Sequence, residues 1–218
     1  MAQLFPPGAN TVARTSILGA VLFVGLALGA AERMSRSSWT TRTGEPREQP
    51  VPFSHERHVG SLGLDCRFCH TSVETSPYAG IPPLATCMAC HSQVGSEAPV
   101  LEPLREAVRA ESTLAWLRVH DLPDFVYFNH SIHVRQGVGC TTCHGAVDGM
   151  PVMVQEKSLQ MSWCLECHRA PEKLLRPRDR VFSNGYAPLA TELSLGGKLV
   201  KDYQLHAEQL TNCSICHR

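Results

Sequence analysis

The chain is short of the side chains that ordinarily build a protein interior. Aromatic residues make up 6% of its 218 positions, against 15 prolines and 16 glycines, so a large core of interlocked side chains is excluded and something else must fill the inside. Net charge is missing as well. Twenty basic residues balance twenty acidic ones, and no basic patch interleaved with aromatics marks a nucleic-acid surface. Between Arg14 and Glu32 there is no charged residue at all. Finally, there is no spare cysteine.

All ten cysteines fall into five copies of one pattern, CxxCH. The copies are Cys66/Cys69/His70, Cys87/Cys90/His91, Cys140/Cys143/His144, Cys164/Cys167/His168 and Cys213/Cys216/His217, called sites 1 to 5 below. Histidine is 11 of 218 residues, so five CxxC pairs would each be followed by histidine by accident roughly once in three million times. Zinc knuckles do not require the adjacent histidine, and disulfides do not require the two-residue spacing. Covalent haem c requires both. Cysteines three apart share one side of a helical turn, where each can form a thioether to a haem vinyl group, and the next residue turns a ring nitrogen to the iron. Five covalently bound haems c are therefore expected, with no cysteine left for disulfides. Their propionates would add up to about ten negative charges.

Each iron needs a second axial ligand to become a closed electron carrier. Beyond the five motif histidines, six remain: His55, His58, His120, His130, His133 and His206. Phe53-Ser-His55-Glu-Arg-His58-Val59 matches Phe128-Asn-His130-Ser-Ile-His133-Val134. Each copy is followed by a glycine-containing turn, a CxxCH and then a second CxxCH, which identifies a duplicated two-haem unit. Histidines paired this way upstream of haem motifs have no comparable structural purpose, so His55, His58, His130 and His133 are expected as distal ligands. His120 follows an apolar stretch close to the second pair and is added to the set. His206 stands in a polar context and is left out. Met88, Met150, Met153 and Met161 read as gap fillers beside the haems. With ligands enough to close every iron, the chain reads as a wire and not as an enzyme with an open substrate haem.

Thr15 to Ala31 is an uncharged apolar run of seventeen residues, about 25 Å as a helix, the short end of a membrane span. A cleavable signal peptide shares its features; a retained single-pass anchor is the expectation. Gly19, Gly25 and Gly29, with Ala20 and Ala27, leave small-residue surfaces for packing against another membrane helix. Haem c is attached outside the cytoplasmic membrane, which puts everything after the run on the periplasmic side, although Arg33 and Arg36 against Arg14 weigh slightly the other way.

The expected organisation is an N-terminal segment 1–31 with its transmembrane helix at about 15–31, then a flexible tether 32–51 rich in Ser, Thr, Arg, Glu and Pro. There follow a di-haem module 52–100, a helical connector 101–126, a second di-haem module 127–171, and an extension 172–218 carrying the fifth haem. In the connector, the stretches at Leu101–Val108 and Leu114–Leu117 read as one amphipathic helix or two short ones. The basic run Lys173, Arg176, Arg178, Arg180 reads as a solvated or propionate-pairing surface. The fold class is mostly α and irregular: a multihaem cytochrome c of short helices and loops around five haems.

The FxHxxH…CxxCH unit resembles small multihaem cytochromes of the c3 and c7 type. That resemblance implies that the first histidine of each pair serves the adjacent haem (His55 with His70, His130 with His144) and the second a different one. The wider chain resembles the membrane-anchored pentahaem cytochrome subunit of alternative complex III. The resemblance rests on Phe53-Ser-His-x-x-His58, Leu64-Asp-Cys66-x-Phe-Cys69-His70, Gly80-Ile-Pro-Pro83…Cys87-Met-x-Cys90-His91, and Trp116-x-x-Val-His120-x-Leu-Pro-Asp-Phe-Val-Tyr-Phe-Asn-His130. It extends to Trp163-Cys-Leu-Glu-Cys-His168-Arg169 and Leu210-Thr-Asn-Cys213-x-x-Cys-His-Arg218. It implies a quinol-oxidising complex whose other members are an iron–sulfur subunit, polysulfide-reductase-like integral membrane subunits and a mono-haem cytochrome c. Within it this chain would relay electrons, with His120 a ligand and His206 spare. The competing expectation is an independent membrane-anchored multihaem quinol dehydrogenase feeding a periplasmic reductase.

Overall fold

The computed structural model describes residues 5–185 and 193–217; residues 1–4, 186–192 and the Arg218 of the terminal motif lie outside the described residues. The chain divides after Arg42 into two units. The first holds helix α1, Ala9–Ser35, and the short helix α2, Ser38–Thr41. The uncharged run thus lies inside one longer helix of 27 residues. At ~1.5 Å per residue this is ~40 Å, more than the ~30 Å of a bilayer's hydrocarbon layer. By length and composition α1 can cross a membrane. Its hydroxyl-bearing residues within the run, Thr15 and Ser16, bond back to carbonyls three or four residues earlier, so they need no water there.

The second unit is built of short helices and irregular chain, and among the described residues it has isolated bridges instead of a sheet. In order come a π-helical turn at Glu56–Ser61, α3 (Cys66–Cys69), α4 (Leu84–His91), α5 (Glu102–Arg109), α6 (His130–Arg135), α7 (Cys140–His144), α8 (Met161–Arg169), α9 (Leu193–Asp202) and α10 (Cys213–Cys216), with 3₁₀ turns between them. Each of the five CxxC pairs lies on its own helix. The residue before each of those helices is extended, namely Asp65, Pro83, Gly139, Gln160 and Asn212; the motifs of sites 1, 3 and 5 begin their helices, and those of sites 2 and 4 sit one turn further in.

The connector has one helix, not two. In α5 Leu104 and Ala107 are buried, and Glu102 pairs with Arg105 and Arg109 on the outer side. Glu111, at φ 50°, then turns the chain away. The backbone of Leu117 bonds instead to the side chain of Gln49, which accepts from its N–H at 2.9 Å and donates to its carbonyl at 3.0 Å. Those bonds replace helical ones, and residues 113–116 lie across a cleft from Ile81–Leu84, with Trp116 N–H turned back to the Leu114 carbonyl at 2.9 Å.

The beginning of this unit is stitched down. Thr43 and Pro46 bridge to Gln155 and Val154, and the Arg47 guanidinium donates to the Arg118 carbonyl at 2.7 Å. The buried apolar side chains described are Val51, Val73, Leu104, Ala107, Leu175, Val181 and Leu199. None is aromatic and they form no single nucleus, as the composition requires.

Candidate metal centres

The two FxHxxH segments have different backbones but the same ring geometry. The first is a π-turn, with Leu62 N–H bonded to the Arg57 carbonyl at 3.1 Å; the second is the α-helix α6. Ser54 caps the first by accepting from Arg57 N–H (3.2 Å), and Asn129 caps the second by accepting from Ile132 N–H (3.4 Å). Phe53 stacks on His58 at 4.4 Å and stands edge-on to His55 at 4.9 Å. Phe128 does the same to His133 (4.4 Å) and His130 (4.8 Å). A single aromatic ring therefore fixes two imidazoles in each unit.

Those imidazoles face motif histidines. His130 and His144 are parallel within 11°, with ring centroids 6.4 Å apart. His58 lies 6.1 Å from His91, and His133 lies 6.2 Å from His168. Two imidazoles bound to one metal ion from opposite faces, at bonds of about 2 Å, place their centroids roughly 6.3 Å apart. All three separations agree with that arrangement.

The rings are also held in one tautomer. His58 Nδ1–H donates to the Ser54 carbonyl at 2.8 Å, His133 to Asn129 at 2.7 Å, and His130 to Pro77 at 2.8 Å. Among the motif histidines, His70 donates to Gly80 (2.6 Å), His91 to Val94 (2.9 Å), His168 to Leu210 (2.7 Å) and His217 to Phe125 (3.2 Å). A carbonyl can only accept, so Nδ1 carries the proton and Nε2 keeps its lone pair for a metal.

Burial completes the effect. It pushes His144 down to about 3, with His120 and His130 adding to it. His55 falls to about 4 through burial and then its neighbours His70 and His58. His120 falls to about 4 through burial and then His130. Burial also lowers His130 and His133. These rings stay neutral at pH 7, the form that ligates. Two buried ring nitrogens have no hydrogen-bond partner: Nδ1 of His55 and Nε2 of His120.

Residues 126–218 match the family model "Cytochrome c7 and related cytochrome c". The matched part contains sites 3, 4 and 5. The chain is also 38% identical, over 99 residues, to the "Menaquinone reductase, multiheme cytochrome c subunit" of Nitratidesulfovibrio vulgaris. That alignment covers 45% of this chain and 46% of the relative, so the chain spans less than half the length of the curated relative it matches. The chain thus carries a cytochrome c7-like multihaem region and has a multihaem quinone-reductase subunit as a homologue, and haem c, bound covalently, is the group implied.

The residues fit that group. Among the described residues no three His, Cys, Asp or Glu side chains converge as a protein-only metal site requires. Facing imidazoles with bare Nε2 atoms suit an ion whose four remaining ligands come from a macrocycle. The cysteines are free of one another's disulfides. Burial raises the thiols of Cys69, Cys87, Cys164 and Cys167, and that of Cys143 to about 12.

His120 is placed against His144, at 4.2 Å between tilted rings, a contact too close for two ligands of one iron. Against His217 lies Phe125, at 5.9 Å. His206 is exposed beside Glu208.

Sequence reasoning missed Arg176. The basic run is not uniformly solvated: Arg176 is 3% exposed. Its guanidinium donates to Thr141 Oγ1 (3.1 Å) and Thr142 Oγ1 (3.5 Å) inside the site 3 motif, and to the carbonyls of Ser183 (3.2 Å) and Arg180 (3.4 Å). The available signal was Gly137-Val-Gly139 just before Cys140. A Cβ on Gly139 would overlap the guanidinium, and one on Gly137 would overlap the Arg176 carbonyl.

Proposed function

We propose that this chain is a pentahaem c-type cytochrome that relays electrons within a membrane-bound, quinol-oxidising complex of the alternative complex III type, toward a periplasmic acceptor. It is an electron-transfer subunit without a substrate site of its own. The observation that carries the reading is the set of three imidazole pairs at 6.1, 6.4 and 6.2 Å. Five of those six rings are fixed through Nδ1 to main-chain carbonyls.

Haem c, when bound, supplies an iron that takes up and returns one electron at a time. Cys66, Cys69, Cys87, Cys90, Cys140, Cys143, Cys164, Cys167, Cys213 and Cys216 provide the thioether links. His70, His91, His144, His168 and His217 are the proximal ligands. The distal ligands are His55 at site 1, His58 at site 2, His130 at site 3 and His133 at site 4. His120, whose buried Nε2 has no partner, is left for site 5, where Phe125 five residues on holds His217. These side chains would supply two protein ligands to each haem, which would leave no iron open to a substrate. Modules 52–100 and 127–171, with the extension 172–218, form the extracytoplasmic domain, and α1 anchors it as a single pass in membrane lipid. The partners are an iron–sulfur subunit, polysulfide-reductase-like integral membrane subunits and a mono-haem cytochrome c.

A second reading reverses the current. The relative is a menaquinone reductase subunit by name, which favours a complex that delivers electrons to menaquinone. Purification in mild detergent tests both readings. Five haems per chain by pyridine haemochrome, co-purified membrane subunits, and haems that menaquinol reduces are the expected result. Haems oxidised by menaquinone but not reduced by menaquinol support the reverse current. A lone, quinol-active chain refutes the subunit assignment, and a haem count other than five refutes the cofactor assignment.

A further inference from the structure

Five sites along a chain need not form a wire in the order in which the chain encodes them. Site 2 draws both of its facing rings from the first module, although the turn that carries His58 also touches the second, Glu56 N–H bonding to the Met150 carbonyl at 3.0 Å. His91 faces His58, its Nδ1–H goes to the Val94 carbonyl only three residues away, and Phe53 joins His58 to the His55 of site 1.

Site 1 is joined to a site of the second module through the hydrogen bonds of the ligands themselves. The loop that follows His70 closes on itself, with Ser72 Oγ donating to the Tyr78 carbonyl at 2.8 Å. The same loop holds ligands of two sites. The Gly80 carbonyl accepts from His70 Nδ1 (2.6 Å) and the Pro77 carbonyl accepts from His130 Nδ1 (2.8 Å). The first turn of α6 is seated on it as well, with His130 N–H bonded to Pro77 (3.1 Å) and Ser131 N–H to Ser76 (3.2 Å). Gly80 sits at φ +82°, and a Cβ there would stand 2.8 Å from Ser72 Oγ, so the turn that aims its carbonyl at His70 requires glycine.

We infer that electrons cross between the two modules from site 1 to site 3 through the Ser76–Gly80 loop, and that site 2 is a terminus of the wire. The order over the first four sites is 2–1–3–4, the last step passing from the His130 of site 3 to the His133 of site 4 across Phe128. Site 2 is then a point of entry or exit, and the loop is a positioning element that fixes His70 against His130. The two rings are linked by two hydrogen bonds and the backbone from Pro77 to Gly80.

This order rests on the five-haem reading above, and the two can fail separately. The haem count and low-spin spectrum of the unaltered protein are recorded first, since a count other than five removes the reading itself. Site 2 is then deleted by Cys87→Ala with Cys90→Ala, and site 1 by Cys66→Ala with Cys69→Ala, each variant being checked for four haems. Redox titration followed by visible and electron paramagnetic resonance spectra is expected to find one of the four remaining haems perturbed when site 2 is lost. Two are expected to be perturbed when site 1 is lost. Two perturbed haems after loss of site 2 overturn the order. If a variant holds fewer than four haems, the unaltered, fully reduced protein decides by NMR. Haem-to-haem Overhauser contacts from site 2 to site 1 alone, and from site 1 to sites 2 and 3, are expected, and a contact between sites 2 and 3 overturns the order.

Discussion

His130 and His133, three residues apart on one helix, face different motif histidines: His130 lies 6.4 Å from His144 and His133 lies 6.2 Å from His168. One turn of α6 thereby serves two sites at once, with Phe128 wedged against both rings. The Glu56–Ser61 turn repeats the device for His58 and His91.

Replacing His133 with methionine will therefore alter site 4 and leave site 3 unchanged. A thioether in place of an imidazole raises a haem's potential, within the roughly 0.8 V that axial ligands span. Spectroelectrochemistry of the variant is expected to lift one haem out of five. Assignment of that haem to His144 instead of His168 would contradict the pairing.

Arg176 and Gly139 should behave as one unit. The guanidinium is buried and holds two threonine hydroxyls of the site 3 motif, so Arg176→Ala is expected to cost about 2–4 kcal/mol. Arg176→Lys recovers little, because an ammonium lacks the planar fork. Gly139→Ala destabilises because the overlapping guanidinium is pinned by its own hydrogen bonds and cannot swing aside. In the Arg176→Ala background the same change should cost much less. Denaturant unfolding of the four proteins of this cycle measures the coupling.

Acid should loosen the site 1 and site 3 region before the rest. His55 and His120 are held near 4, below their ordinary 6.5, first by burial and then by neighbouring imidazoles. In the unfolded chain these rings take a proton near 6.5; in the folded one they resist until about 4. The unfolded state therefore binds more protons between those values, and stability is complete above about 6.5 and declines as pH falls toward 4. The slope is about 1.4 kcal/mol per pH unit for each ring. Iron coordination acts in the same direction, since it also requires the neutral ring. Unfolding midpoints at pH 7, 5.5 and 4.5 should fall in that order, and a flat profile would contradict it.

Removing residues 1–42, the unit that contains α1, should release the remainder from the membrane with its haem count per chain unchanged. Fractionation with a haem stain reads this directly. Loss of haem on truncation would mean that the first unit helps hold the cofactors.

The parts legible in sequence were those set by local spacing. Cysteines three apart mark one helical turn, and an uncharged run marks an apolar helix, so the five motif helices and α1 stood out at once. The partners of His58 and His133 did not, because nothing near them in sequence says which distant ring they face. Leu114–Leu117 has the apolar pattern of a helix, yet Gln49, far away in sequence, takes its hydrogen bonds. Arg176 looked like one of several surface cations until its neighbours were seen to be backbone carbonyls and two motif threonines.

The Nδ1 latches share one chemistry. Every acceptor among them, at Ser54, Pro77, Gly80, Val94, Phe125, Asn129 and Leu210, is a main-chain carbonyl and none is a carboxylate. A carboxylate would draw the ring toward imidazolate, lower the iron's potential, and titrate. A carbonyl is neutral at every pH and, apart from the turn at Gly80, makes little demand on the side chain at its position. Any potential these rings impose on an iron would thus be insulated from proton activity near neutrality and, Gly80 apart, from drift in the side chains of the acceptor residues.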